Sequence, residues 1–414
     1  MLDIKFVKDN IDLVKKNTAS RGFKVDIDQL LALYERQKDL LQAIEEKRRQ
    51  LKSGSKAKPT PDLIAKFRAV GDEIKNLELD LKVVEDELNA LLYQLPNINS
   101  HDTPIGASEA DNKVERIVGE MTNLGFPALD HVELGTSLDL LDIEQGAQVS
   151  GARFWYLKNE LVELEMALIH YLFNKLIKKG FKALSVPQLV KEPAMFGTGF
   201  FPAEKNEIYK VNPGEDDLYL IGTAEVPLIS YHANQVLDLS KPKKYFAFST
   251  CFRREAGSYG KDTKGILRGH QFDKIEMVAL VKPEESEEMH QELLSIEEEI
   301  YQELDLPYHV VNICSGDLGP VAAKKYDIEA WLPGQNCYRE ITSCSNTTDY
   351  QSRRLNIKYK NGDKKDYCHT LNGTAMAMGR TIIALMENYQ TKEGSIRMPK
   401  VLKSYLHFTE IKKK

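Results

Sequence analysis

The chain has 414 residues, of which 42% are hydrophobic and 29% charged, and its formal net charge is −6. This length is enough for two or three domains with a sizeable core. The negative net charge excludes a protein coated in basic surface, so any nucleic-acid binding must use a local patch.

The cysteines and the N-terminal residues indicate a cellular compartment. The odd number of cysteines and the lack of a CxxC pair argue against a disulfide framework or a zinc site, and we interpret them as buried free thiols. They are Cys251, Cys314, Cys337, Cys344 and Cys368. The N-terminus, MLDIKFVKDN, has no apolar core of signal-peptide length, and no apolar run approaches the roughly 20 residues of a membrane helix. We therefore expect a cytoplasmic protein without membrane association.

Two helical patterns dominate the first hundred residues. The first 25 residues predict a short amphipathic helix, followed by a link at residues 20–22. Further on, apolar residues alternate in steps of four and three, which is a heptad seam. Its members are Leu63, Phe67, Val70, Ile74, Leu77, Leu81, Val84, Leu88, Leu91 and Leu95. A weaker seam contains Leu30, Leu33, Leu40, Ile44 and Leu51, with Gln37 and Lys47 at two core positions.

A turn separates the two seams. Residues 53–61 are rich in Ser, Gly, Lys and Pro, and Thr60, Pro61 and Asp62 have the chemistry of a helix start. Pro96 is expected to end the second helix. The sequence thus predicts two antiparallel helices of about 25 and 35 residues, an arm on the order of 40 to 50 Å long.

The tip of this arm is basic. It carries Lys47, Arg48, Arg49, Lys52, Lys56 and Lys58, with no acidic residue among them. Such a patch on a rigid lever suits a phosphate backbone and would make binding salt-dependent. A dimerising coiled coil with an ordinary solvated tip is an equally good interpretation of the pattern alone.

The remaining elements predict an α+β domain. Residues 100–150 have no clear period and are expected to be a linker, and a strong amphipathic helix covers residues 161–176. Strand patterns fill residues 218–281, a charged helix covers 283–304, strands resume to residue 367, and an apolar helix covers 375–388. Strands in hairpins indicate an antiparallel sheet, and neither GxxxxGKS nor a strand-linked GxGxxG occurs.

The most informative segment lies between two strand-like runs, residues 245–252 and 275–281. Residues 252–276 read FRREAGSYGKDTKGILRGHQFDKIE, a polar, glycine-rich connection of the kind that joins two strands by a long loop. Because side chains alternate along a strand, Arg253 and Glu255 are expected to share a face of the first strand, and Phe272 and Glu276 a face of the second. The four side chains would then look out of one sheet surface. An exposed hairpin with solvated charges is the simpler interpretation, but it leaves the aromatic residues of the first run without a role.

The motif FRREAGS followed by DTKGILRGHQFDKIE resembles motif 2 of the class II aminoacyl-tRNA synthetases in its seryl-tRNA synthetase form. Three other segments are similar to that family: residues 181–201 with Pro187 resemble motif 1, Thr223-Ala224-Glu225 resembles its serine-binding element, and residues 371–390, beginning LNGTAMAMGR, resemble motif 3. The resemblance implies a class II antiparallel catalytic domain over residues 101–414. It also implies a tRNA-binding arm over residues 1–100, with the coiled coil at about 27–96 and a basic tip at 47–58.

The resemblance implies activation of L-serine by ATP and then transfer to tRNA. Such a site needs no nucleophile of its own, because it must position two anions and stabilise transition-state charge. Arg253 and Arg380 are the implied catalytic residues, and a planar guanidinium suits the α-phosphate and the carboxylate. The implied ATP-binding residues are Arg253, Arg254, Glu255, Gly269, His270, Gln271, Phe272, Glu340, Ile341, Thr342, Ser343 and Arg380, with Phe272 stacked on adenine.

The other implied sites follow the same family motifs. Glu340 and Ser343 would bind Mg²⁺, for which hard oxygen ligands are suited. Serine would be bound by Thr223, Ala224, Glu225, Arg253, Glu276 and Thr374. Many bacterial members read Asn-Gly-Ser where this chain reads Asn-Gly-Thr, and the hydroxyl contact should survive with less room. The basic residues Lys47, Arg48, Arg49, Lys52, Lys56 and Lys58 would bind tRNA.

The implied partners are tRNA(Ser), L-serine and a second copy in a homodimer, and the sequence leaves charging of tRNA(Sec) open. Two other interpretations remain. One is a synthetase-like paralog that ligates an amino acid to a carrier or has lost activity, and the other is a coiled-coil scaffold protein. The complete arm and the intact Arg253, Glu276 and Arg380 argue against the paralog, and the dense set of site residues argues against the scaffold.

Overall fold

The computed structural model describes residues 1–54, 60–256 and 264–413. The chain forms two compact units, Met1–Ile98 and Asn99–Lys414. No helix in these described ranges is long and apolar enough to cross a membrane.

The first unit is helical. Its elements are α1 (Ile4–Asp9), α2 (Ile11–Ser20), α3 (Ile27–Gly54) and α4 (Pro61–Gln94). Where one N-terminal helix was predicted there are two, because Asn10 leaves the helical conformation and its side-chain amide donates to the Phe6 oxygen at 3.0 Å. Thr60 caps α4 as predicted, by accepting from the Leu63 amide at 3.3 Å.

The predicted two-helix arm is confirmed, since α3 and α4 pack along their length. Their buried seam residues include Leu30, Ile44, Ile74, Val84 and Leu88. The polar seam position Gln37 is satisfied across the helix pair by Glu85 at 3.1 Å, and Lys47 forms an ion pair with Glu73. The two polar residues in the seam are therefore satisfied by acidic residues of the partner helix.

The second unit is built on an eight-stranded sheet. Its strands are β1 (Lys113–Val118), β2 (Lys182–Ala183), β3 (Lys243–Phe252), β4 (Gln271–Val281), β5 (Tyr308–Asn312), β6 (Lys324–Leu332), β7 (Cys337–Asn346) and β8 (His369–Ala377). They lie in the order β1-β5-β6-β7-β8-β4-β3-β2, and every pair is antiparallel except β2 with β3. The predicted α+β class with an antiparallel sheet is confirmed.

Helices and small sheets surround the large sheet. The helices are α5 (His131–Ser137), α6 (Ile143–Ser150), α7 (Glu160–Lys178), α8 (Glu192–Thr198), α9 (Glu225–Ser230), α10 (Ser286–Glu303), α11 (Tyr350–Leu355) and α12 (Met378–Asn388). Leu189–Lys191, Lys210–Val211 and Leu218–Leu220 form a three-stranded sheet, as do Val236–Leu237, Lys358–Asn361 and Lys364–Tyr367. Leu141–Asp142 pairs with Tyr156–Leu157, and Ile396–Arg397 with Glu410–Ile411.

Two predictions about these elements were wrong. Residues 100–150 are not merely a linker, because they supply β1, α5 and α6. The strand β1 is almost fully exposed, so its sequence lacks the alternation of apolar and polar residues that predicts a half-buried strand. The last helix begins at Met378 rather than at residue 375, since Ala375–Ala377 belong to β8. That strand is buried along nearly its whole length, and a strand buried on both faces has the same continuous apolar pattern as a buried helix.

The pairing of β4 with β8 positions the candidate site. Glu276 lies opposite Thr374, and Met277 lies opposite Gly373. Behind this pair, α10 packs against the sheet, and a Cβ atom on Gly373 would lie 2.7 Å from Oε1 of the fully buried Glu297. A side chain at position 373 would therefore require Glu297 to shift.

Candidate active site

Two adjoining cavities open on the sheet face opposite α10. The first, about 340 Å³, is lined by Arg253, Glu255, Ile266, Leu267, Arg268, Gly269, Phe272, Lys274, Lys325, Glu340, Ile341, Thr342, Ser343, Thr374, Ala377, Gly379 and Arg380. The second, about 230 Å³, extends toward α8 and α9. Five residues line both, namely Arg253, Lys274, Lys325, Ser343 and Thr374. We call this shared boundary the junction.

Arg253 follows β3 directly and is fixed at the junction. Its backbone amide donates to the His270 oxygen at 2.9 Å, which continues the pairing of β3 with β4. Its Nε donates to the Gly222 oxygen at 3.3 Å, and its guanidinium lies 5.3 Å from the ring centre of Phe272. The group is thus held at its Nε, and the residue lines both cavities.

Phe272 and Glu276 share one face of β4, as predicted, with Lys274 between them. The ring of Phe272 forms a wall of the first cavity. A flat aromatic surface beside a guanidinium is suited to a planar base.

Arg380 and Glu340 form the opposite side of the first cavity. Nη1 of Arg380 donates to the Glu340 backbone oxygen at 2.8 Å and lies 3.2 Å from its Oε2. Burial acts to raise the pKa of Glu340, but the charges of Arg380 and Lys325 outweigh it and hold the pKa at about 2. The carboxylate is therefore ionised throughout the physiological range, and 43% of the side chain is open to the cleft.

Lys325 and Asp327 bring further charge into the site. Lys325 Nζ lies 3.0 Å from Oδ1 and 3.1 Å from Oδ2 of Asp327. Burial acts to lower the pKa of Lys325, but the carboxylates of Asp327 and Glu340 raise it, so the lysine stays protonated. Burial raises the pKa of Asp327; the charge of Lys325 opposes that rise and the charge of Glu340 adds to it.

The second cavity holds a buried polar cluster around Glu276. Oε2 of Glu276 accepts from the Thr223 hydroxyl at 3.1 Å and from the Thr374 hydroxyl at 3.4 Å, and it forms an ion pair with Lys274. Glu276 is only 2% exposed. The structure thus brings together three of the residues that were predicted to bind serine.

Glu225 lies beside this cluster, at the start of α9. Its Oε1 accepts from the side-chain amides of Gln351 at 2.7 Å and Asn372 at 3.0 Å. Burial, and then the nearby charge of Glu276, raise its pKa to about 7. The neighbouring Ala224 is fully buried in the core beneath the cavity.

The predicted nucleotide residues divide into two groups. Glu255, Gly269, Ile341, Thr342 and Ser343 line the first cavity, with Arg253, Phe272, Glu340 and Arg380. Arg254, His270 and Gln271 are not among the residues that line it, and their part in ATP binding stays a prediction.

The local backbone explains this division. Glu255 has a φ of 50° rather than continuing the strand, and its Oε2 lies 2.5 Å from Nε of Arg268. The expectation that Glu255 extends the strand face of Arg253 is therefore wrong, because β3 ends at Phe252. The His270 ring instead stacks on Phe154 with centroids 5.3 Å apart.

Part of the predicted tRNA patch is paired within the arm. Arg48 lies 2.7 Å from Glu78, Arg49 lies 2.9 Å from Glu45, and Lys47 contacts Glu73. Arg48 and Arg49 remain largely exposed, and Lys52 is exposed near the end of α3. Exposed pairs of this kind contribute little stability, so their cations remain accessible to phosphate. Lys56 and Lys58 lie outside the described residues.

Sequence comparisons identify both parts of the chain. The sequence model of the seryl-tRNA synthetase N-terminal domain matches residues 1–99, and that of the class II tRNA synthetase core domain (G, H, P, S and T) matches residues 209–389. A serine–tRNA ligase of Borrelia garinii subsp. bavariensis is 45% identical over 420 residues, covering 99% of this chain and 98% of its own. The chain belongs to the seryl-tRNA synthetase family.

Other members of this family agree with that assignment. The serine–tRNA ligase of Dictyoglomus thermophilum is 44% identical over the full length of both chains. The crystal structure of seryl-tRNA synthetase from Pyrococcus horikoshii, complexed with ATP, superposes with a TM-score of 0.93 at 40% identity, also over the full length of both chains. The predicted family, class II fold and synthetase activity are therefore confirmed, and a carrier-ligating paralog is not favoured.

Several site residues were missed from the sequence. Lys274, Lys325 and Asn372 line the cavities and Asp327 pairs with Lys325, yet none has a distinctive motif of its own. Lys274 lies two residues from Glu276 on the same strand, so alternation alone could have indicated it. Lys325 and Asp327 share that spacing, but only the sheet order shows that β6 reaches the site.

Proposed function

We propose that this seryl-tRNA synthetase family member uses the two cavities to activate L-serine with ATP and then transfers serine to the 3′ end of tRNA(Ser). The observation that carries the proposal is the junction, where one guanidinium, Arg253, faces both cavities. A carboxylate in one cavity and a phosphate in the other would meet at that group.

In the first cavity, adenine would stack on Phe272 on the side away from the core, and Arg380 would face the nucleotide from α12. In the second cavity, Glu276 would accept hydrogen bonds from the ammonium group of serine. The hydroxyl groups of Thr223 and Thr374 would contact the polar atoms of the bound serine. A pocket built to pair with a hydroxyl rejects alanine strongly, because its own polar groups would otherwise lose partners.

The reaction is a displacement at the α-phosphorus. An oxygen of the serine carboxylate forms a bond to phosphorus, the bond to the bridging oxygen breaks, and pyrophosphate leaves. Arg253 would neutralise charge that both anions bring to the transition state, and the preformed site would supply their alignment. In the second step a ribose hydroxyl of the tRNA attacks the seryl carbonyl and AMP leaves.

Glu340 and Ser343 fit a Mg²⁺ ion. Both present oxygen atoms to the cleft, and the low pKa of Glu340 provides an ionised carboxylate. Mg²⁺ is commonly held by one or two carboxylates together with substrate phosphates, and the described residues contain no cluster of three His, Cys, Asp or Glu that would form a closed metal cage. The bound ion would neutralise phosphate charge.

The arm and α7 support the proposed macromolecular partners. Arg48, Arg49 and Lys52 would contact the tRNA phosphate backbone in a salt-dependent way. A homodimer is supported by the motif 1 resemblance and by exposed apolar residues on α7, namely Val162, Met166 and Ile177. The proposed substrates, ATP and tRNA, are consistent with a cytoplasmic location.

The test is serine-dependent exchange of pyrophosphate into ATP, followed by charging of tRNA(Ser) and, in a parallel reaction, tRNA(Sec). We expect exchange with serine, a clear preference over alanine, and charging of tRNA(Ser). Exchange without charging would favour a carrier substrate, and no exchange with any amino acid would overturn the proposal.

A further inference from the structure

Besides Arg253 and Lys274, the junction contains a partly buried cation, Lys325, on a strand outside the family motifs. Lys325 lies on β6, and its side chain is 23% exposed and lines both cavities. Asp327 shares its face of the strand, and Lys324, with the opposite orientation, pairs with Asp102 and Glu287 instead. Lys325 is therefore directed to the site by strand alternation.

The contact with Asp327 does not use all of the hydrogen-bonding capacity of Lys325. An ammonium group has three donors, and the hydrogen bond that Lys325 makes to Asp327 involves one of them. The group lines the same boundary as Arg253, Ser343 and Thr374, where the cavities meet. Donors thus remain for an anion placed there.

Carboxylates and cations both surround Lys325, so the charge offered to an added anion depends on which cations are already paired. Asp327 and Glu340 are the near carboxylates, with Asp317 further among the acids that act on Lys325. Arg380 already pairs with Glu340. Three cations border both cavities, and one of them, Lys274, forms an ion pair with Glu276 of motif 2. Among the described residues, Arg253 and Lys325 form no such ion pair with a carboxylate of motif 2 or motif 3.

We infer that Lys325 is a further substrate-binding residue of this site, whose ammonium group contacts the phosphate and carboxylate anions at the junction alongside Arg253. The inference rests on the proposed function and extends it. The competing explanation is that Lys325 only neutralises Asp327, which would make it a structural partner rather than a ligand for substrate.

Binding of two simple probes separates these explanations. AMP and adenosine differ only in the phosphate, so their dissociation constants are measured by calorimetry with wild-type protein, Lys325→Met and Lys325→Arg. We expect Lys325→Met to weaken AMP binding about tenfold or more, as for loss of a charged hydrogen bond, and to leave adenosine binding unchanged. Lys325→Arg should recover much of the loss. Equal weakening of both probes would overturn the inference.

The double variant Lys325→Met/Asp327→Asn provides the second arm. If the lysine only neutralised the aspartate, removing both charges would restore AMP binding and exchange activity, and that result would overturn the inference. We expect both to stay low. Lys324→Met is the matched control on the opposite face, and thermal unfolding of all variants checks their fold. Absence of exchange in the wild-type protein would contradict the proposed function separately, because the AMP comparison does not depend on turnover.

Discussion

Arg380 binds the backbone oxygen and the carboxylate of Glu340 with the same nitrogen, Nη1, at 2.8 and 3.2 Å. This contact joins the first turn of α12 to strand β7 at the edge of the first cavity. The contact also keeps Glu340 ionised, because the charge of Arg380 helps to offset the effect of burial on its pKa.

Glu340→Gln should therefore impair use of the metal rather than folding. The amide keeps the shape and can still accept from Arg380, but it lacks the negative charge that a Mg²⁺ ion needs. We expect exchange activity to fall by about a hundredfold and the Mg²⁺ concentration for half-maximal rate to rise. Glu329→Gln, the cross-strand neighbour of Glu340, is the control. An unchanged Mg²⁺ dependence would argue against the proposed ligand.

Arg253→Ala should abolish measurable exchange, since the proposed reaction brings two anions to this group. Loss of one transition-state donor commonly costs a factor of about 10² to 10³ in rate. Arg253→Lys keeps a charge without the planar fork and should be intermediate. Steady-state exchange kinetics measure both variants, and near-wild-type activity of the alanine variant would contradict the assignment.

Thr374→Ser and Thr374→Val separate the hydroxyl from the methyl group at that position. The serine variant retains the hydrogen bond to Glu276 and should keep a KM for serine near that of wild type. The valine variant leaves a buried carboxylate with one donor fewer, and we expect its KM for serine to rise about tenfold or more. If the two variants were equally impaired, the methyl group rather than the hydroxyl would be the important feature.

Glu225 should give the folded protein a pH-dependent stability. Its pKa rises from an ordinary 4.5 to about 7, so the folded protein holds this proton more tightly than the unfolded chain does. The associated stability is present below about pH 4.5 and is lost as the pH rises to 7 and beyond. In Glu225→Gln, the change in unfolding free energy between pH 5 and pH 8 should shrink. Urea denaturation at both pH values measures it.

The exposed Glu393→Gln is the matched control for this measurement. It removes a carboxylate that has no comparable burial, so its pH dependence should follow that of the wild-type protein. An identical pH dependence in Glu225→Gln and Glu393→Gln would show that Glu225 does not hold the proton.

Alanine at Arg48, Arg49 and Lys52 should separate the two half-reactions. None of these residues belongs to the catalytic unit, so serine-dependent exchange should be unchanged. Charging of tRNA(Ser) should weaken by about tenfold or more and should become less sensitive to salt, because fewer phosphate contacts release counterions. Deletion of residues 47–58 should have the same effect more strongly, and full charging after that deletion would exclude a role for the tip.

The sequence was most informative where chemistry and spacing coincide. The sequence predicted Arg253, Phe272 and Glu276 as site residues because they lie at the ends of one hairpin and follow the alternation of a strand. Lys325 and Asp327 could not, since β6 reaches the site only through the order of non-adjacent strands. The start of α12 was misjudged for a different reason: a strand buried on both faces carries no alternation. Burial and sheet order are properties of the whole fold.

The junction has a consequence for inhibition. Five side chains belong to both cavities. A single compound that fills both would lose its translational and rotational freedom once, whereas two separate ligands lose it twice. Joining a serine-like group to an adenosine through a short, uncleavable link should therefore give an affinity well beyond that of either fragment.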